Sequence, residues 1–159
     1  MAKGLTQDMP ERATRIDFPE WDPNAPAPHL VTGPRTFLLF YKRHSEPDVA
    51  VIVEFHGCIG AKMGPPSDET LSGHRLWGKG LQYYVAHEVE ESGWLAEVGR
   101  IEKYRSSPAW IASHHHYVFT FHDETVECLA QGFSATEQTG SIADALAAIA
   151  KASLPGGAA

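Results

Sequence analysis

A chain of 159 residues with 43% hydrophobic side chains can close one core, and its length suits a single domain. Thirteen lysines and arginines against twenty aspartates and glutamates give a net charge of −7, and no basic run exceeds Lys42-Arg43. Nucleic acid and anionic membrane surfaces, which need concentrated positive charge, are therefore poor partners.

From residue 1 the chain lacks the apolar core of a secretion signal, and its apolar runs fall far short of the roughly 20 residues that span a bilayer. A soluble, cytoplasmic protein is expected. Residues 1–34 carry Pro10, Pro19, Pro23, Pro26, Pro28 and Pro34 with little apolar period, which predicts an extended arm pinned by Phe18 and Trp21. Residues 35–154 form the predicted α+β domain, and 155–159 a flexible tail. "TFLLFYKR" and "VAVIVEFHG" read as a hairpin across His44–Asp48. "LQYYVAHEVE", 81–90, is a third strand. Ser92 then caps a helix with Trp94, Leu95, Val98 and Ile101 on one face. Two more strands, about 115–122 and 125–133, meet at Asp123-Glu124. A second helix runs from Ser141 to about Leu154 and stops at Pro155-Gly156-Gly157. This order predicts one mostly antiparallel sheet of about five strands, with two helices on one face and a pocket on the other.

Alternation along each strand assigns side chains to faces. With Asp123-Glu124 as the tip, His122 opposes Thr125 and Thr120 opposes Glu127. Tyr117, Phe119, Phe121, Val126, Cys128 and Ala130 then form an apolar face, and His116, Thr120, His122, Glu127 and Gln131 the other. Glu54, His56 and Glu88 are assigned to that same polar side. Lys and Arg are missing from these strand interiors after Lys42-Arg43, and Leu38, Phe40, Ile52 and Tyr84 supply apolar walls. A few polar groups in an apolar concavity describe a small-molecule site.

The long connection 57–80, "GCIGAKMGPPSDETLSGHRLWGKG", has six glycines but neither a P-loop nor a dinucleotide fingerprint. It is expected to cover the polar face as a lid, bringing Asp68, Glu69, His74 and Trp77. "GPPSDETLSGHRLWGKGL", "HEVEESGWL" and "FTFHDETVECLA" together resemble a group of small bacterial proteins of unassigned activity, over roughly residues 55–135. The resemblance implies that lid, Glu88 strand and hairpin form one unit, and it transfers no catalytic role.

The leading expectation is a cofactor-independent enzyme that moves protons on a small, partly apolar substrate, as a cyclase, isomerase, dehydratase or hydrolase does. His122 or His56 would be the base, Glu127 or Glu88 the acid or orienting carboxylate, and Glu54 a further candidate. Asp68, Glu69, His74, Trp77, Thr120 and Tyr84 would bind substrate. The alternative is a metalloenzyme in which His56, His122 and Glu127 hold Zn²⁺ or Fe²⁺. A non-catalytic ligand-binding or resistance module would need the same pocket. Cys58 and Cys128 are expected to be thiols, with Cys128 in the core. Self-association through an edge strand or the open face is compatible with the sequence.

Overall fold

The computed structural model describes residues 10–153; the predicted tail, 155–159, lies outside them. The fold is α+β and all its strand pairs are antiparallel, but there are two sheets where one was expected. The first contains, in spatial order, β1 (Arg12–Arg15), β6 (Ala86–Glu90), β7 (His115–Thr120), β8 (Thr125–Ala130) and β5 (Gly60–Gly64). The second contains β2 (His29–Val31), β3 (Thr36–Tyr41), β4 (Val49–His56) and β9 (Gly132–Thr139). Gln131 alone separates β8 from β9, so the chain steps from one sheet into the other at that residue.

The apolar faces of both sheets pack on each other. Leu38, Phe40, Val51, Val53 and Phe55 meet Ala86, Tyr117, Phe119, Val126, Cys128 and Ala130 in one buried cluster. This corrects the expected helix layer: the face of the 115–130 hairpin read as helix-bearing carries the second sheet. Two apolar surfaces from different hairpins bury each other most fully when sheet meets sheet. The helices lie outside. Helix α3 (Ile142–Ser153) buries Ile142 and Ala145 on Phe37, Leu39 and Ala50, on the outer face of the four-stranded sheet. Residues 36–41 are thus covered on both faces, which accounts for their unbroken apolar run. Helix α1 (Gly93–Ile101) and helix α2 (Pro108–Ala112) flank the five-stranded sheet, and Pro108 opens α2 at its first turn.

The segment 57–80 is not one loop. Its first part is β5, paired with β8, and its second a 3₁₀ turn, Asp68–Gly73. Leu71, Leu76 and Leu81 from this region are buried with Ala13, Val89 and Val118, so it closes the outer face of the five-stranded sheet as a packed layer. The predicted third strand is shorter than 81–90, because a turn with Tyr84 at φ 56° precedes Ala86. The described part of the arm, from residue 10, docks and adds an edge strand to each sheet, β1 against β6 and β2 against β3.

Gly80 is where the covering layer touches this arm. Its φ is +102°, and a Cβ there would lie 1.9 Å from the Ala13 carbonyl oxygen. Ala13 N–H also donates to Lys79 O at 2.8 Å. Gly80→Ala is expected to cost about 1–3 kcal/mol in backbone strain alone, with further loss as β1 is displaced. Thermal unfolding checks this; an unchanged midpoint would show that the arm moves aside without penalty.

Candidate functional site

The buried charge at the centre of the five-stranded sheet is Glu127, on β8 and 5% exposed. It shares the outer face with Val118, opposite it on β7, and with His116. Four groups surround its carboxylate. His116 Nε2 lies 2.8 Å from Oε1 and His74 Nε2 3.3 Å from Oε2. Arg75 and Lys62 approach at 3.5 and 3.6 Å, with side chains 39% and 49% exposed. Burial works against the charge, but the hydrogen bonds from His116 and His74, with Lys62 beside them, hold this carboxyl far below the usual carboxylate range.

An ionised carboxylate only accepts hydrogen bonds, so each imidazole donates through Nε2. His74 accepts at Nδ1 from Leu76 N–H, 3.1 Å, which makes it a neutral ring. His116 is entirely enclosed, and its Nδ1 lies 2.7 Å from Ser92 Oγ. In the neutral ring that nitrogen accepts the Ser92 hydroxyl proton. The result is a continuous chain of hydrogen bonds from Ser92 through His116 to Glu127. Trp94 packs edge-on against His116 at 5.3 Å, with Lys62 over its ring at 4.3 Å.

Ser92 opens this chain to solvent. It lines a groove of about 1030 Å³ bounded by α1, α2 and the ends of β6 and β7, with Val89, Leu95, Ala96, Ile111 and Ala112 as apolar walls. That is the upper end of the size of small-molecule sites. The groove also presents Glu88 and His115, which form an imidazole–carboxylate pair, and His114. His114 is 4% exposed; its Nδ1–H donates to Trp110 O at 2.8 Å, and its Nε2 is buried without a partner.

The sequence-predicted residues divide among separate places, and no hydrogen bond or ion pair joins any two of Glu54, His56, Glu88, His122 and Glu127. Glu54 and His56 stand on the outer face of the four-stranded sheet, where Glu54 pairs with Arg35 and His56 with Ser134. Both sheets, spaced about 10 Å, lie between them and Glu127. Glu88 is at the groove, on the inner side of β6 opposite Tyr117. His122 is exposed and meets Asp68 at 3.3 Å and Asp123 at 3.4 Å. Asp68 accepts the Tyr84 hydroxyl proton, and this bond, with burial adding to it, pushes the Tyr84 phenol up to about 12. Thr120 is buried and ties the 82–85 turn through Gln82 O, 2.7 Å. Of the residues assigned to the lid, only His74 reaches Glu127. Trp77 is 42% exposed against Tyr83, and Glu69 is exposed. The metal set His56, His122 and Glu127 is not assembled, and no group of three or more His, Cys, Asp or Glu side chains fit to hold an ion occurs among the described residues.

Ser92 was visible in the sequence only as a helix cap, and His116 only as a polar-face residue. Cys128 lies in the intersheet core with Cys58 half-buried beside it; a hydrogen bond from Cys128 draws the Cys58 thiol down to about 6.

His87 is a core histidine with a fixed tautomer. It is fully buried, accepts Gln82 N–H at Nε2, 2.9 Å, and donates from Nδ1 to Val118 O, 3.1 Å. Burial, foremost, pushes its pKa below the ordinary value of 6.5. The unfolded chain thus binds a proton here that the folded chain refuses, so stability falls as pH drops through about 6.5. His87→Gln should flatten that part of the urea-midpoint profile between pH 7.5 and 5.5. An identical slope in the variant would assign the dependence elsewhere.

No helix among the described residues is long and apolar enough to cross a membrane. No family model, curated protein or solved structure matches the chain, so its function rests on its own residues.

Proposed function

We propose that this chain is an enzyme that moves protons on a small, partly apolar molecule held in the groove between α1, α2 and β6–β7, with His116 as the acid–base group. The observation that carries this is the buried His116–Glu127 couple, whose outer nitrogen meets a hydroxyl on the wall of an apolar groove. A carboxylate kept ionised behind an imidazole fixes its tautomer and stabilises the imidazolium that forms when Nδ1 takes a proton. Glu88 and His115 supply a second proton-active pair at the same groove. No cofactor is required for such chemistry, and the partner is a small molecule.

The test is turnover of a panel of nitrophenyl esters, lactones, hydroxyacyl compounds and 2-oxo acids. For any compound turned over, His116→Gln should lower kcat by at least about 100-fold and remove the imidazole limb of the pH profile. Full turnover in that variant overturns the proposal. So does a ligand that binds the groove and is recovered unchanged after long incubation, which describes a binding module instead.

A further inference from the structure

Resting on that acid–base role of the groove, we propose that Ser92 is a nucleophile acylated by esters or thioesters of small, apolar acids, with His116 as its base and Glu127 positioning His116.

The backbone around Ser92 is unusual for a simple cap. Strand β6 ends at Glu90 and α1 begins at Gly93, so only Glu91 and Ser92 turn the chain from strand to helix. Glu91 sits at φ 52°, a left-handed conformation that non-glycine residues rarely adopt and that clusters at functional sites. In α/β-hydrolases the nucleophilic serine itself sits on a sharp, strained turn from strand to helix; here the turn is as short, but the strained residue is Glu91 and Ser92 is extended at φ −60°, ψ 118°. The turn places Oγ at the wall of the groove.

Two hydrogen bonds then poise that oxygen. Oγ accepts Leu95 N–H at 3.0 Å, the ordinary capping bond, and its proton points to His116 Nδ1 at 2.7 Å. The cap uses a lone pair and leaves the hydroxyl proton free, so the two roles coexist. Of the amides in the first turn of α1, Gly93 N–H is taken by Glu11 Oε1 at 3.2 Å and Leu95 N–H by Ser92. Trp94 N–H has no acceptor among the described residues. An unpaired amide at a helix N-terminus, two residues from the nucleophile, suits the oxyanion that develops on an attacked carbonyl.

A second feature independent of this turn points to a ligand. His114 lines the same groove, nine-tenths or more buried, with Nε2 left as an unpartnered acceptor. A buried acceptor of this kind costs free energy while it is unpaired, and the residue that carries it stands at the wall of the same groove. The apolar walls at Val89, Leu95, Ala96 and Ile111 suit an aliphatic or aromatic acyl chain.

The reaction balances without a co-reactant other than water. Ser92 Oγ adds to the carbonyl carbon as its proton passes to His116 Nδ1, and the imidazolium is held by Glu127. The bond to the leaving alcohol or thiol breaks, and that group departs with the Nδ1 proton, leaving an acyl ester on Ser92. Water gives a proton to Nδ1 and attacks the ester. The carboxylic acid leaves, and Ser92 recovers its proton from Nδ1.

The full chain is treated with an alkyl fluorophosphonate and with 4-nitrophenyl acetate and butyrate. Intact mass and peptide mapping should show one phosphonyl adduct, on Ser92. Labelling and ester hydrolysis should both vanish in Ser92→Asn, which keeps a capping oxygen and folds as wild type by circular dichroism. His116→Gln should label at least about 100-fold more slowly. An adduct elsewhere, no adduct at all, or hydrolysis that survives in Ser92→Asn overturns the nucleophile. If hydrolysis survives in Ser92→Asn but falls in His116→Gln, the acid–base role stands without it. If neither variant differs from wild type, both fail.

Discussion

Replacing Glu127 by alanine is expected to destabilise the fold by about 2–6 kcal/mol, since it leaves two buried imidazole N–H donors unpaired at about 1–3 kcal/mol each. The carboxylate is the acceptor for two enclosed imidazoles, His116 and His74, whose Nε2–H groups would otherwise face a hydrophobic layer. Lys62 and Arg75 add little to this figure. Both side chains are well exposed, and ion pairs in that setting contribute at most about 1 kcal/mol each. Glu127→Gln keeps the shape and should lose less, about 1–3 kcal/mol. The pH dependence separates charge from shape. Because the folded carboxyl lies below its unfolded value, its contribution is complete above about pH 4.3 and is lost as pH falls toward the folded value. The gap between wild type and Glu127→Gln in urea midpoint should therefore narrow on acidification below pH 4. A variant as stable as wild type at pH 7 would show that the imidazoles find other acceptors.

Trp21→Ala should cost about 3–5 kcal/mol as well, in the range for truncating a buried tryptophan. Trp21 belongs to the N-terminal arm but sits 3% exposed between the sheets, stacked on Phe121 at 4.4 Å and edge-on to Phe40 at 5.4 Å. Its indole N–H donates to Thr120 O at 3.2 Å. Trp21→Phe keeps most of the packing and leaves that carbonyl unpaired, so about 1–2 kcal/mol is expected from the lost hydrogen bond. Chemical denaturation followed by circular dichroism measures both. An alanine variant within 1 kcal/mol of wild type would mean that the arm docks on the sheets without supporting them.

Alternation in the 115–130 hairpin was legible although its register was not. The sequence places His122 opposite Thr125, whereas Thr120 is the true partner and the connection is four residues long. The two registers differ by an even number of residues, so every side chain keeps its face, and Glu127 with His116 stays apart from the Phe119–Cys128 core. Alternation cannot say which strands share a sheet. Glu54 and His56 have the same period as Glu127, yet their strand faces α3 across the second sheet, and for that reason the predicted five-residue constellation does not form. Strands β1, β2 and β5, with sequences RATR, HLV and GAKMG, carry little β preference of their own. They are strands because a neighbour's edge satisfies their amides, a tertiary cause that local propensity does not record. Ser92 was hidden differently: its capping pattern fully accounts for its place in the sequence, and the bond to His116, 24 residues onward, needs the folded sheet.

The pairing of β1 with β6 also has a consequence for synthesis. Arg12 opposes Glu90, so β1 must wait for a partner that leaves the ribosome on the order of ten seconds later, at roughly 5–20 residues per second. Trp21 waits similarly for Phe121. Until then the nascent chain holds an indole and a strand edge with nowhere to bury them, and this arm finds its place only after segments made later.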